Sequence, residues 1–205
     1  MSAQGKTVLI TGAAGGLGKV IATAFLAAGA NVAICDINTQ RIAKVEDEWS
    51  KTYAGKFLTR EADVSDDKQV QDLVETAVAR FGRLDILVNN AGIMDDFSPI
   101  GTTSNELWNN VLGVNLNGAF YASKAAIAQF ETQTPVGGLI INICSNASVH
   151  GFHAGAAYTV SKTALLAMHK NMAGAYGPKG IYSVALLVFF PSFASRAGRN
   201  ALTQY

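Results

Sequence analysis

The chain has 205 residues, a formal net charge of +1, and 49% hydrophobic against 15% charged residues. That length suits a single domain with a sizeable core, and the scattered, nearly balanced charge argues against a nucleic-acid partner or an anionic membrane patch. Its apolar runs fall short of the roughly 20 residues that span a bilayer.

The first strand begins close to Met1, so no signal peptide is expected. Cys35 and Cys144 lie in apolar runs and read as reduced core thiols of a cytoplasmic protein. Thr7-Val8-Leu9-Ile10 is short, apolar and β-branched, the pattern of a strand buried on both faces. The turn Thr11-Gly12-Ala13-Ala14-Gly15-Gly16-Leu17-Gly18 follows. Val20, Ile21, Ala24, Phe25 and Ala28 then recur at helical spacing until Gly29 stops the helix. Strand, glycine turn and helix in succession predict dinucleotide binding. The glycines let the backbone approach a pyrophosphate, and the helix N-terminus offers it unpaired N–H groups. Gly12, Gly16, Leu17 and Gly18 are the candidate contacts. Standing alone, the cluster would be only a tight turn.

The second strand, Asn31 to Asp36, ends on an acid about 20 residues beyond the glycines, where a carboxylate can hydrogen-bond both ribose hydroxyls of an adenosine. A 2′-phosphate would be repelled there, so NAD is favoured over NADP. Arg41, five positions on, pulls the other way. The alternative is Asp36 as N-cap of the next helix. Arg41 to Lys51 reads as a charged amphipathic helix, and residues 56–61 as a third strand leading to Asp63-Val64. Asp66-Asp67 cap a helix reaching Phe81, which Gly82 ends. Leu84 to Val88 forms the fourth strand and runs into Asn89-Asn90-Ala91-Gly92. Small and amide residues at a strand's C-terminal end suit the crevice where open α/β sheets bind ligands, although an ordinary turn has the same composition.

A long helical segment from about Thr103 to Thr132 contains Asn115 and Asn117, which are unfavourable inside a helix. Pro135-Val136-Gly137-Gly138 breaks to the fifth strand, Leu139 to Cys144, which delivers Ser145. In the next loop, His150 and His153 either border a substrate pocket or are solvated. A helix from Ala156 to Tyr176 ends at Gly177-Pro178, and Ile181 to Leu187 is the sixth strand. The alternation predicts an α/β, Rossmann-type, doubly wound parallel sheet of order 3-2-1-4-5-6 with helices on both faces. Residues 1–205 read as one domain. Tyr158 and Lys162 stand at i, i+4 on the last long helix, with Cβ atoms about 5–6 Å apart. A phenol titrates near pH 10, so a neutral-pH base needs a shift of about three units. A nearby ammonium and a positive nicotinamide ring can supply it. Alone, such a pair is common on ordinary helices.

The glycine turn, Asn89-Asn90-Ala91-Gly92, Asn115, Ser145 and Tyr158-Thr159-Val160-Ser161-Lys162 together resemble, in order and spacing, the short-chain dehydrogenase/reductase family, from near the N-terminus to about Leu187. The resemblance implies an NAD(P)-dependent oxidoreductase acting on a small-molecule secondary alcohol or ketone, without a metal. Tyr158 would be the acid/base, and Lys162 would hold the nicotinamide ribose and depress the tyrosine's pKa. Ser145 would bind the substrate oxygen, and Asn115 would support a water relay. Asp63 and Val64 would meet the adenine, and Asn90, Ala91 and Gly92 would line the adenosine side. Relatives of this kind imply a homodimer or homotetramer, built here on the alanine faces Ala119, Ala122, Ala125, Ala126 and Ala164, Ala167. After Leu187 the resemblance fails: Val188-Phe189-Phe190-Pro191-Ser192 lacks the family's Pro-Gly. Residues 188–205 read as an atypical tail with the seventh strand missing. A truncated, catalytically impaired nucleotide-binding remnant is therefore the second expectation.

Overall fold

The computed structural model describes residues 3–189; the predicted tail from 190 onward, and with it the expectation that a seventh strand is missing, lies outside the described residues. Six strands form one sheet: β1 (Thr7–Thr11), β2 (Asn31–Asp36), β3 (Phe57–Glu61), β4 (Ile86–Asn89), β5 (Gly138–Ser145) and β6 (Ile181–Val188). All pairings are parallel, in the order β3-β2-β1-β4-β5-β6. The helices between them are α1 (Gly16–Ala27), α2 (Thr39–Ser50), α3 (Asp67–Phe81), α4 (Asn105–Leu112), α5 (Gly118–Thr132) and α6 (Ala156–Tyr176).

Alternation along β1 divides the core. Leu9 faces one side, with Leu73, Leu87, Phe130 and Ile140, beneath α3 and α5. Val8 and Ile10 face the other, with Leu26, Ile34 and Trp49, beneath α1 and α2. Helices on both faces explain why β1 is apolar from Val8 to Ile10 without alternation and is buried along its whole length. The chain winds outward from β1 in both directions, which opens a crevice at the C-terminal ends of β1 and β4.

Local signals set most element ends. Asp66 accepts from the N–H groups of Lys68 and Gln69, and Gly82 closes α3 at φ 85°. The cap of α2 is Asn38, whose Oδ1 accepts from Arg41 N at 2.9 Å, so the capping alternative for Asp36 does not hold. The segment predicted as one long helix is interrupted. Between α4 and α5 a single π-turn covers Gly113–Asn117. It carries Asn115 into the interior, and Gly118 after it lies so close to α3's approach that a Cβ would stand 2.8 Å from Val64 Cγ2.

The alanine face of α5 is a second correction. Ala122, Ala125 and Ala126 are buried in the core shared with α3, and Ala119 packs with Cys144 and Leu165. Close helix approach is thus spent within the chain. Phe120 on α5 and Val160 and Ala167 on α6 are exposed instead. No described helix is long and apolar enough to cross a membrane.

Candidate functional site

The crevice widens into a cavity of about 1170 Å³, reaching from the glycine turn to the junction of β5 and α6. Every predicted site residue except Asn115 lines it. At the turn, three glycines have three different reasons. Gly12 has φ 62°, and a Cβ there would lie 2.8 Å from Ala91 Cα. Gly16 has φ 54° and would meet nothing within 4 Å, because that side of the turn opens into the cavity. Gly18 packs α1 onto the turn: its Cβ would fall 2.5 Å from Asn90 Nδ2 and 2.7 Å from Gly12 O. The N-cap of α1, Gly15, brings no side chain to the first N–H groups. An open cradle at an uncapped helix N-terminus fits the pyrophosphate of a dinucleotide.

Asp36 stands at the same end with both carboxylate oxygens engaged. Oδ2 accepts from Ala14 N at 3.1 Å and Oδ1 from Asn38 N at 3.0 Å. The side chain therefore braces the turn as well as facing the cavity. Arg41 lines this end too, its guanidinium 3.5 Å from where a Cβ on Gly15 would lie, and it forms no ion pair among the described residues. Asp63 Oδ1 accepts from Ser65 N and Oγ, turning the backbone at Val64 along the wall. Asn90 Nδ2 donates to the carbonyls of Thr11 and Gly12, so its amide joins β4 to the turn rather than projecting freely.

At the opposite end the structure brings Ser145, Tyr158 and Lys162 together. The Ser145 hydroxyl lies beside the Tyr158 phenol and favours its ionised form. Lys162 is 4% exposed, donates to Ile143 O at 2.9 Å, and lies 5.8 Å from the centroid of the Tyr158 ring. Burial pulls its ammonium down to about 8. The Tyr158 phenol moves opposite to the predicted direction. Burial raises it, Asp95 and Cys144 add to the rise, and only the Ser145 hydroxyl opposes them. Lys162 does not offset the rise in this protein alone, because with its own pKa down at about 8 it is neutral where the raised phenol titrates. Asn115, 1% exposed, accepts from Ile93 N at 2.8 Å and donates to Ile93 O and Ser161 Oγ. A Cβ on Gly92 would lie 3.3 Å from Lys162 Nζ and 3.4 Å from Asn115 Oδ1, so a larger residue there would press on both side chains.

Of the two loop histidines, His153 borders the cavity with Phe152 and Phe189, and Asn146 Nδ2 contacts its Nδ1 at 2.9 Å. His150 stacks on His153 with centroids 5.4 Å apart. Among the described residues no three His, Cys, Asp or Glu side chains are grouped to hold a metal. Sequence reasoning missed Thr11, the Ile143 carbonyl and Asp95. Thr11 Oγ1 accepts from the N–H groups of both Asn90 and Ala91; its place at the head of the glycine turn was the available signal. Asp95 accepts from Gly155 N and Tyr158 N. Its signal was indirect: the helix carrying Tyr158 begins Gly155-Ala156-Ala157, with no capping residue of its own.

A family model described as short chain dehydrogenase matches residues 6–192. A short chain dehydrogenase/reductase of Colletotrichum higginsianum is 48% identical over 184 residues, covering 90% of this chain and 68% of that protein. The 3beta-hydroxysteroid dehydrogenase 2 of Eggerthella lenta is 39% identical over 177 residues, covering 86% and 67%. A crystal structure of 3-ketoacyl-(acyl-carrier-protein) reductase from Brucella melitensis complexed with NADH superposes with a TM-score of 0.83 at 31% identity, covering 91% of this chain and 75% of that one.

Proposed function

The chain belongs to the short-chain dehydrogenase family, and from that premise we propose that it interconverts a secondary alcohol and a ketone with NAD, Tyr158 serving as acid/base. The observation that supports this most is the convergence of Ser145, Tyr158 and Lys162 on the cavity that the glycine turn closes at its other end. Gly12, Gly16, Leu17 and the α1 N-terminus would hold the pyrophosphate. Asp36 would hold the adenosine ribose, Asp63, Val64 and Asn90 to Gly92 would flank the adenosine half, and Lys162 the nicotinamide ribose. When bound, the cofactor accepts or supplies the hydride.

The remaining steps belong to this chain's side chains. Ser145 Oγ holds the substrate oxygen against Tyr158. In oxidation Tyr158 Oη takes the hydroxyl proton, and in reduction it returns one to the carbonyl oxygen. The raised phenol favours the protonated form from which reduction starts. Oxidation needs positive charge added beside it. Asn115, across Gly92 from the Lys162 ammonium, supports a water relay that resupplies the proton. Met94, Phe152 and Phe189 on the wall suit a substrate with an apolar body.

The Asp36 carboxylate favours NAD over NADP at the adenosine end. The buried free thiols Cys35 and Cys144 suit a reducing, cytoplasmic setting. We also propose a homodimer or homotetramer. The test is purified protein with NAD and a panel of secondary alcohols, and with NADH and the matching ketones, followed by NADH absorbance. Turnover is expected in the parent and not in Tyr158→Phe, whose calorimetric NAD affinity should be unchanged. A Tyr158→Phe protein keeping more than a few per cent of the rate would exclude Tyr158 as the acid/base.

A further inference from the structure

The helix that carries Tyr158 lacks a cap of its own. α6 runs for 21 residues, and its N-cap residue is Gly155, with no side-chain hydrogen bond to the helix start. The first N–H groups of a helix have no partner inside it and need one from elsewhere. Three of these partners come from the loop that follows β4. Asp95 Oδ1 accepts from Gly155 N at 3.0 Å, and Asp95 Oδ2 accepts from Tyr158 N at 2.9 Å. Ser98 O accepts from Ala156 N at 2.9 Å. Tyr158 is the third residue of the helix, and its N–H is one that a capping side chain ordinarily takes. Here the acceptor lies 63 residues earlier in the chain.

The fit between Asp95 and Gly155 is mutual. A Cβ on Gly155 would lie 2.6 Å from Asp95 Oδ2 and 2.7 Å from its Cγ. The carboxylate therefore occupies the volume that a serine or aspartate cap would fill. Gly155 itself has φ −74° and ψ −178°, a conformation open to any residue, so backbone freedom does not explain the glycine. Steric room for Asp95 does. The carboxylate is 8% exposed, and its own loop is folded onto it through Phe97 N at 3.2 Å. The positive end of α6 stabilises a charge buried there.

We propose that Asp95 is a positioning residue, a helix cap displaced onto the loop after β4, which sets the first turn of α6 and so the place of Tyr158 in the cavity. This rests on the reading of Tyr158 as acid/base. The same carboxylate acts on the phenol through space. The titratable groups around Tyr158 are Asp95 from this loop, Lys162 from α6, Cys144 from β5 and His153 from the loop before α6. Burial is the larger cause of the raised phenol, and of these groups Asp95 and Cys144 add to it by opposing phenolate.

The test moves the cap. Asp95→Ala should speed amide exchange at Tyr158 roughly tenfold, and adding Gly155→Ser in that background should restore protection, because the vacated space admits a serine cap. The phenol midpoint is read by ultraviolet difference titration of each protein against its Tyr158→Phe counterpart. It should fall in both Asp95→Ala and the double variant, since both lack the charge; a purely structural role would return it to the parent value in the double variant. NAD affinity by calorimetry should stay within about twofold, because the adenosine half is remote. Gly155→Ser with Asp95 present should instead disturb α6. Parent-like exchange and phenol midpoint in Asp95→Ala, or a parent-like Gly155→Ser protein, would overturn the proposal. If Asp95→Ala does not fold, Asp95→Asn takes its place, and an unchanged phenol midpoint there overturns it equally. Turnover surviving in Tyr158→Phe would sink the acid/base reading alone and leave the exchange result standing.

Discussion

Thr11 and Asn90 clasp each other across the gap between β1 and β4. The N–H of Asn90 donates to Thr11 Oγ1 at 3.1 Å, and Asn90 Nδ2 donates to Thr11 O at 2.8 Å. The glycine turn thus inherits its position from the sheet and not from its own flexibility. Gly18 sits directly against this clasp, within 2.5 Å of Asn90 Nδ2 if it carried a Cβ.

Gly18→Ala should therefore cost about 1–3 kcal/mol of stability, the usual range for overpacking, and weaken dinucleotide binding by loosening the clasp. Gly16→Ala meets no atom within 4 Å and carries only the cost of φ 54°, about 1–2 kcal/mol. Urea denaturation of the two variants should give comparable losses, but only Gly18→Ala should shift the turn. A Gly18→Ala protein that binds NAD as the parent does would refute the close-packing role.

For cofactor choice, NAD(H) should bind more tightly than NADP(H). Asp36→Asn removes the charge and should erode that preference by roughly 1–3 kcal/mol. Arg41→Ala should act in the opposite sense and sharpen it, since Arg41 is the cation at this end of the cavity. Calorimetry showing tighter NADPH binding to the parent would remove Asp36 from the role.

Lys162 should leave a signature in the pH dependence of stability. Its folded pKa is about 8 against an ordinary 10.5. Below pH 8 it is charged in both states, and its burial costs the folded protein about 3 kcal/mol. Between pH 8 and 10.5 the unfolded chain binds the proton that the folded one has released, so this group's contribution to stability rises with pH. Compared with Lys162→Met, the parent should gain stability over that window by up to that amount. Parallel pH profiles of the two proteins would contradict a depressed lysine.

Assembly is expected through the outer faces of α5 and α6, where Phe120 and Val160 stand exposed beside Ala167. Light scattering should give a dimer or tetramer at micromolar concentration, and Phe120→Glu should shift it toward monomer. A parent protein that is monomeric under those conditions would remove the proposal.

Much of this molecule was legible in local pattern. The run Thr7 to Ile10, the stop at Gly29 and the cap at Asp66 each speak through nearest neighbours, and the sheet order followed from strand and helix alternation. The cavity residues were legible for a related reason. Gly12, Asp36, Ser145 and Tyr158 all lie at strand ends or in a first helical turn, with Lys162 one turn on from Tyr158, where the fold must place them once the strands are known.

What the sequence by itself determined was which groups meet at the cavity; what the tertiary structure decided was the condition in which they meet. The π-turn places Asn115 where the backbone of Ile93, 22 residues away, engages its amide. The buried fate of Ala122 and Ala126 depends on α3 packing over them, and the low pKa of Lys162 on the depth at which α6 seats it. Asp95 caps a helix 60 residues further on. A periodicity records which face of an element is apolar, but burial, desolvation and borrowed hydrogen bonds are properties of pairs far apart in the chain, and they are set only when the layers close.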